Sequence, residues 1–218
     1  MSKDNEHEVN YRSAAAFKKM EGIKICVCGA GAIGSNLVNN LLRQGITNIS
    51  VIDMDRVEAK NVATQVYTLR DVGQKKTAAL KSLMYQATRK VVDAVDKELR
   101  QNNATKLLKG HDVVIDAFDN WNSRELVQKA CDKLKIPCVH AGMSDDGFSE
   151  IKWNEVYSIP KIEVEQDDIC DYPLAANLVH LTVVILAEIV IQFITQGKKS
   201  NREVTLKDMG VHTIGGGK

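Results

Sequence analysis

The 218-residue chain sets 29 Lys and Arg against 28 Asp and Glu, a formal net charge of +1, which excludes wrapping of nucleic acid by bulk electrostatics. Hydrophobic residues at 44% and charged residues at 26% exclude a disordered or fibrous chain and leave a globular protein able to bury a sizeable core. The five Cys are odd in number and irregularly spaced, which excludes a disulfide scaffold and fits a reduced, cytoplasmic setting.

The opening MSKDNEHEVNYRS holds no apolar stretch of the secretory kind, and a short helix is expected over residues 11–20. IKICVCGAG is apolar on both faces and ends in glycines, as a central strand of a parallel sheet does. Ile33, Leu37, Leu41 and Leu42 lie near helical spacing, so a helix starts near Ala32 and is capped by Gly45. ISVID is a second buried strand, and strand, glycine turn, helix, strand makes a right-handed βαβ unit. A helix over 77–86, a segment at 90–97 that alternates as a strand while its flanking Lys and Glu would also continue a helix, with the strand preferred, a strand over 112–118, a helix over 123–134 and a strand over 137–141 follow. The alternation predicts an α/β fold, doubly wound and Rossmann-like, with a mainly parallel sheet. After Gly142 the pattern changes: residues 147–157 alternate in period two, which predicts an antiparallel strand. Residues 158–173 read as an acidic crossover, and 174–195 as a long apolar helix. The apolar run 178–194 is broken by His180, Glu188 and Gln192 and is short for a membrane span, so a core helix and no membrane are expected. REVTLKDM closes a C-terminal antiparallel extension, and GVHTIGGGK is expected to fray.

Three groups of residues carry chemistry. In the first, Gly29 permits a tight turn, Gly31 lets backbone approach a phosphate, and Gly34 lets helix pack on strand, with Ala32 at the helix N-terminus where amides meet an anion. Asp53 ends the next strand, where a carboxylate binds ribose hydroxyls, and this pattern alone fits NAD as well as ATP. In the second, Asp55, Asn61, Gln65 and Lys76 cluster beside that turn, as a phosphoryl or nucleotidyl transfer site requires and a dehydrogenase does not. Lys75 and Lys76 otherwise read as a solvated helix start, although cations there oppose the helix dipole. In the third, Asp119 and Asn120 follow a strand, with Arg124 one turn on; Asp119 can hold Mg²⁺ against phosphates, or either residue can simply cap a helix. His140 ends a strand and reads as packed rather than as a site residue.

Taken in order, GxGxxG, D-x-D-x-V-E, N-x-x-x-Q, V-G-x-x-K and D-x-x-D-N with Arg four residues further resemble the ThiF/MoeB/HesA-type adenylyltransferases, relatives of the ubiquitin-activating enzymes. The resemblance covers residues 20–142 and, more loosely, ILAEIV in the late helix. It implies an enzyme that uses ATP and Mg²⁺ to adenylate the C-terminal carboxylate of a small ubiquitin-like or sulfur-carrier protein or peptide, releasing pyrophosphate. By position Gly29, Gly31, Ala32 and Gly34 would face the phosphates and Asp53 the ribose, Asn61, Gln65 and Lys76 would contact the triphosphate, Asp119 would hold magnesium, and Asp55 and Asn120 would belong to the same nucleotide site. It implies one unit over 1–218, with a nucleotide-binding core at 20–142 and a substrate-binding extension at 143–218, and a homodimer.

The chain departs from the family's pattern in places. The family has Arg before the Gln in N-x-x-R-Q, where Thr64 stands here, so one triphosphate-binding cation is missing unless Arg12, Arg56 or Arg70 replaces it. Arg12 is the candidate for the N-terminal Arg that family members reach across a dimer interface. Paired CxxC motifs are missing, and Cys26 and Cys28 form CxC within a buried strand, so no structural zinc is expected. Cys170, in IEVEQDDICDYP, is a candidate acyl acceptor, but Glu165, Asp167, Asp168 and Asp171 disfavour its thiolate, and an inert loop thiol is preferred. An NAD-dependent oxidoreductase and a non-catalytic subunit that binds a ubiquitin-like protein remain as rival readings.

Overall fold

From Ile25 to Cys28 every side chain is apolar and fully buried, as in a strand covered on both faces. This is β1 (Lys24–Cys28), and the computed structural model describes residues 5–159 and 174–214 around it. Ile25 and Val27 point into the larger core cluster, while Cys26 and Cys28 point into a smaller one on the opposite face. The strand's two-residue period thus serves both sides of the sheet.

Before β1 run α1 (Glu6–Arg12) and α2 (Ala14–Gly22). The helix expected over 11–20 is broken because Ser13 takes φ 80° and uses its hydroxyl to accept the Ala16 N–H. After β1 come α3 (Ala32–Arg43) and β2 (Asn48–Asp53), which lies parallel to β1 with Val27 beside Val51. Gly45, at φ 101°, ends α3: its N–H reaches Leu42 O and the Ile46 N–H reaches Leu41 O, the pairing of a Schellman motif. Two 3₁₀ turns (Ala59–Ala63 and Leu69–Asp71) lead to α4 (Lys76–Thr88) and β3 (Asp93–Asp96). Then follow α5 (Ala104–Leu108), which the sequence pattern did not announce, β4 (Val113–Asp116), α6 (Trp121–Leu134) and β5 (Cys138–Met143).

The eight strands form one sheet in the order β3-β2-β1-β4-β5-β6-β7-β8. The first five positions are parallel. The antiparallel extension consists of β6 (Phe148–Trp153), β7 (Arg202–Thr205) and β8 (Gly210–Thr213). The strand expected over 202–209 therefore stops at Thr205. The segment GVHT, expected to fray, is β8 of a hairpin, because Val204 finds a ladder partner in Val211. Between β6 and β7 runs α7 (Ala176–Gln196), which packs against α3 and the sheet. It is long and apolar enough to cross a membrane by length and composition, but half of its apolar window is buried in this fold (50%). Thr182 sits in that buried face and donates its hydroxyl to Ser149 of β6 at 2.7 Å.

The chain leaves β1 toward β2 on one side and reaches β4 on the other. After β1 the chain passes to α3 on one face of the sheet and after β4 to α6 on the other, which opens a crevice at the carboxyl ends of these strands, the usual ligand position in open α/β sheets.

Candidate active site

The crevice floor is the turn after β1. Gly29 holds φ 99° and donates its N–H to Ile52 O at 2.9 Å. A Cβ at Gly29 would meet Ala117 O at 2.8 Å, and one at Gly34 would meet Gly29 O at 1.9 Å. Both positions therefore require glycine for close backbone approach. At Gly31 the reason differs: a Cβ there would meet no protein atom within 4 Å, so it would occupy the crevice itself. Gly31 is also the N-cap of α3 and offers no side-chain cap, which leaves first-turn amides of Ala32 and its neighbours for an anion.

Asp53 secures this turn. Its Oδ2 accepts the Ala30 N–H at 2.7 Å and its Oδ1 the Asp55 N–H at 2.7 Å. Burial raises its carboxyl above the usual range against the pull of Lys76 and these amides. Tyr67, which the spacing did not reveal, supports the turn from within by donating to Ala30 O at 2.8 Å, and burial pushes its phenol up. The signal for Tyr67 was only a buried aromatic among polar neighbours.

Lys76, at the start of α4, carries the main cation. Its Nζ lies 3.0 Å from Asp55 Oδ2, and its N–H donates to Asp55 O at 2.9 Å. Burial draws its pKa down, but Asp53, Asp55 and Asp119 together hold it above the ordinary lysine value. Lys75 turns away to Asp96 at 3.1 Å. Asp119 is exposed in the loop beyond β4, because the strand ends at Asp116, whose Oδ1 accepts the Phe118 N–H. Asn120, not Asp119, caps α6: its Oδ1 accepts the Ser123 N–H at 2.9 Å. The cap is therefore satisfied without the carboxylate of Asp119, which stays at the crevice wall.

The crevice has two joined parts that share Gly31, Asp55, Lys76, Ala117, Phe118 and Asp119. The smaller, about 80 Å³, is bounded by Asp53, Met54, Lys97, Leu99 and Phe118. The larger, about 540 Å³, runs past Asn61 and Gln65 to Trp121, Arg124, Met143, Phe148, Glu150 and Tyr157. Gln65 Oε1 is buried there with no hydrogen-bond partner among the described residues, an orphaned polar atom on the wall. Asn61 spends its Oδ1 on the Glu58 N–H at 2.8 Å, which fixes the 3₁₀ turn. Phe148 and Glu150 were latent in the alternation of β6, where Ser149, Ile151 and Trp153 are buried and the intervening residues face the other way.

Behind the wall lies a buried ionic cluster. Asp116 is fully buried, 2.8 Å from His140 Nδ1 and 3.6 Å from Arg124 Nη1. Arg124 also donates to Ala141 O at 2.6 Å, and although burial opposes its charge, Asp116 and Tyr157 keep its pKa raised. His140 is packed, stacking on Tyr157 with ring centroids 3.9 Å apart, but it lies inside β5 and not at a strand end, because the strand runs on to Met143.

Several expected residues do not reach the crevice within this chain. Arg12 lies against the C-terminal end of α3, bound to Glu188 at 2.7 Å, Glu8 at 2.7 Å and Gln44 at 3.3 Å. The glycine turn is at the other end of that helix, roughly 18 Å away at 1.5 Å per residue. Arg56 donates to Gly73 O, and neither it nor Arg70 nor Thr64 lines either part. Cys170 and the acids around it lie outside the described residues. Among the described residues no three His, Cys, Asp or Glu side chains form a candidate metal cage. A Mg²⁺ ion held by one carboxylate and by phosphates does not need one, and Asp119 beside the uncapped α3 N-terminus fits that arrangement.

The ThiF family model matches residues 7–207. The chain is 34% identical over 124 residues to the sulfur carrier protein adenylyltransferase of Thermus thermophilus, covering 56% of this chain and 46% of that protein. It is 28% identical over 145 residues to SUMO-activating enzyme subunit 2 of Dictyostelium discoideum, covering 65% of this chain and 22% of that one. It thus spans less than half the length of either relative. The crystal structure of E. coli MccB with ATP superposes with a TM-score of 0.81 at 19% identity, covering 100% of this chain and 72% of that one, which shows the shared fold.

Proposed function

The chain belongs to the ThiF family, and from that premise we propose that it is an ATP-dependent adenylyltransferase acting on the C-terminal carboxylate of a small ubiquitin-like or sulfur-carrier protein or peptide. The observation that carries the proposal is the meeting of the uncapped α3 N-terminus, Lys76 and Asp119 on one crevice. The names of the curated relatives, a sulfur carrier protein adenylyltransferase among them, support the reaction class.

The α3 amides and Lys76 would hold the phosphates, the smaller part of the crevice the nucleoside, and Asp119 a Mg²⁺ ion. That ion would supply positive charge to the phosphates. The carrier's carboxylate would enter along the larger part and attack the α-phosphorus. The α–β phosphoanhydride bond then breaks, the acyl adenylate forms, and pyrophosphate takes the departing electron pair. No protein nucleophile is required. The protein's part is to place the carboxylate in line and to stabilise charge on the phosphates. On this reading residues 20–142 bind nucleotide and 143–218 take the carrier, in one cytoplasmic unit. A homodimer belongs to the same proposal and is supported by Leu181 and Val184, which leave an apolar strip exposed on α7.

Thermal unfolding and pyrophosphate exchange test it together. ATP with Mg²⁺ should raise the unfolding temperature and NAD should not. Asp119→Ala should abolish carrier-dependent exchange while leaving stability within about 0.5 kcal/mol, because Asn120 holds the cap. Stabilisation by NAD alone would reject the reading.

A further inference from the structure

Resting on the ATP reading above, the joint between the two parts of the crevice points to a residue behind it. Ala117, Phe118 and Asp119 line both parts, so this short segment sets how the nucleoside side meets the phosphate side. Its near end is tied to β1, where the Ala117 N–H donates to Cys28 O at 2.8 Å. The next amide has a side-chain acceptor instead: the Phe118 N–H donates to Asp116 Oδ1 at 3.2 Å. Asp119 itself belongs to no strand or helix. The rotation of the Asp116 carboxylate therefore decides where Phe118 and Asp119 stand.

A carboxylate is planar, so turning one oxygen turns the other. Oδ2 of the fully buried Asp116 faces two donors: Arg124 Nη1 at 3.6 Å, beyond hydrogen-bonding distance, and His140 Nδ1 at 2.8 Å. Among the described residues His140 thus makes the only side-chain hydrogen bond to Asp116, and since a carboxylate only accepts, Nδ1 carries the proton. Asp116 and His140 are register partners on the parallel strands β4 and β5, so their side chains stand side by side on one face of the sheet. The ring is held in place as well. It stacks on Tyr157 with 8° between the planes, and its Nε2 lies 2.8 Å from Asn154 Oδ1. Without the Nδ1–H, Arg124 is the remaining donor near Oδ2, and the carboxylate turns towards it and away from the Phe118 N–H.

We propose that His140 is a positioning residue for nucleotide binding: its Nδ1–H fixes the rotation of the Asp116 carboxylate, whose other oxygen holds Phe118 and Asp119 in the geometry that receives ATP and Mg²⁺.

Calorimetric titration of the full chain with ATP and Mg²⁺ tests this on wild type, His140→Asn, His140→Gln and His140→Ala. Asn keeps an amide N–H near the position of Nδ1, Gln keeps one near the position of Nε2, and Ala keeps neither. His140→Gln and His140→Ala should each weaken ATP at least about fivefold, the scale of one hydrogen bond. His140→Asn should stay within about twofold of wild type. All three lose the stack on Tyr157 and should unfold at a lower temperature than wild type, so stability and affinity part company at Asn. Equal weakening by Asn and Gln overturns the proposal, since that marks packing alone. ATP affinity within about twofold of wild type in both His140→Gln and His140→Ala also overturns it. In either case wild type still binds ATP, and the adenylyltransferase reading stands. Wild type that does not bind ATP removes that reading, and this inference with it.

Discussion

At the scale of single residues, two glycines two positions apart separate folding from binding. Gly29 is held at φ 99° against Ala117 O, so Gly29→Ala should cost about 1–3 kcal/mol through strain and collision. Gly31 has an ordinary φ of −79° and open space where a Cβ would stand. Gly31→Ala should leave stability within about 0.5 kcal/mol and abolish ATP binding, since the methyl takes the position of the incoming phosphate. Urea unfolding and nucleotide titration of both variants measure the two effects. The reverse pattern would show that Gly31, too, is structural. These glycines were legible in advance because strand, turn and helix each leave their own mark. It could not apportion Asp119 and Asn120, since either suits a cap, and only the path of the loop gives the cap to Asn120. Nor could it show that Asp53 has already given an oxygen to each of two backbone amides.

At the scale of elements, α1 and α7 are joined by Arg12 and Glu188, with Gln44 of the α3 cap close by. Burial alone would raise the Glu188 carboxyl, but its bonds to Arg12 and Gln192 hold it below the usual carboxylate range. Since the folded pKa is depressed, the pair's stabilisation is complete above the ordinary Glu value and is lost as pH falls through the folded one. Glu188 is more than a third exposed, so solvent screens the pair and limits it to about 1 kcal/mol. Denaturant midpoints of wild type and Glu188→Gln should differ at pH 7 and converge in acid; a gap that persists at pH 2 would exclude the ion pair as its source. The βαβ unit was legible because a doubly buried strand and an amphipathic helix have unmistakable periods. The break at Ser13 was not, because a serine at φ 80° depends on tertiary packing rather than on any local pattern. The five-residue α5 is too short to display a period, and β8 is a strand only because β7 lies beside it.

At the scale of the whole molecule, the buried polar cluster of Asp116, His140 and Arg124 joins β4, β5 and α6 where the parallel half of the sheet meets the antiparallel extension. Arg124→Met should cost about 3–5 kcal/mol, because it leaves a fully buried carboxylate short of a cation. Pairing it with Asp116→Asn should return much of that loss, and a double variant no more stable than the single one would contradict the charge argument. The sheet order carries a further consequence, in time rather than in space. Ile25 of β1 pairs with Ile49 on one side and with Val113 on the other. During synthesis the first partner follows β1 closely, whereas the second emerges only after β3, α4 and α5 have been made. Until β4 is made, β1 is the edge strand of the half-sheet β3-β2-β1, with the hydrogen-bonding side that β4 later covers left open. Such late, long-range closure slows folding and exposes the intermediate to aggregation. The strand that positions the glycine turn is also the one whose protection depends on how soon the ribosome delivers β4.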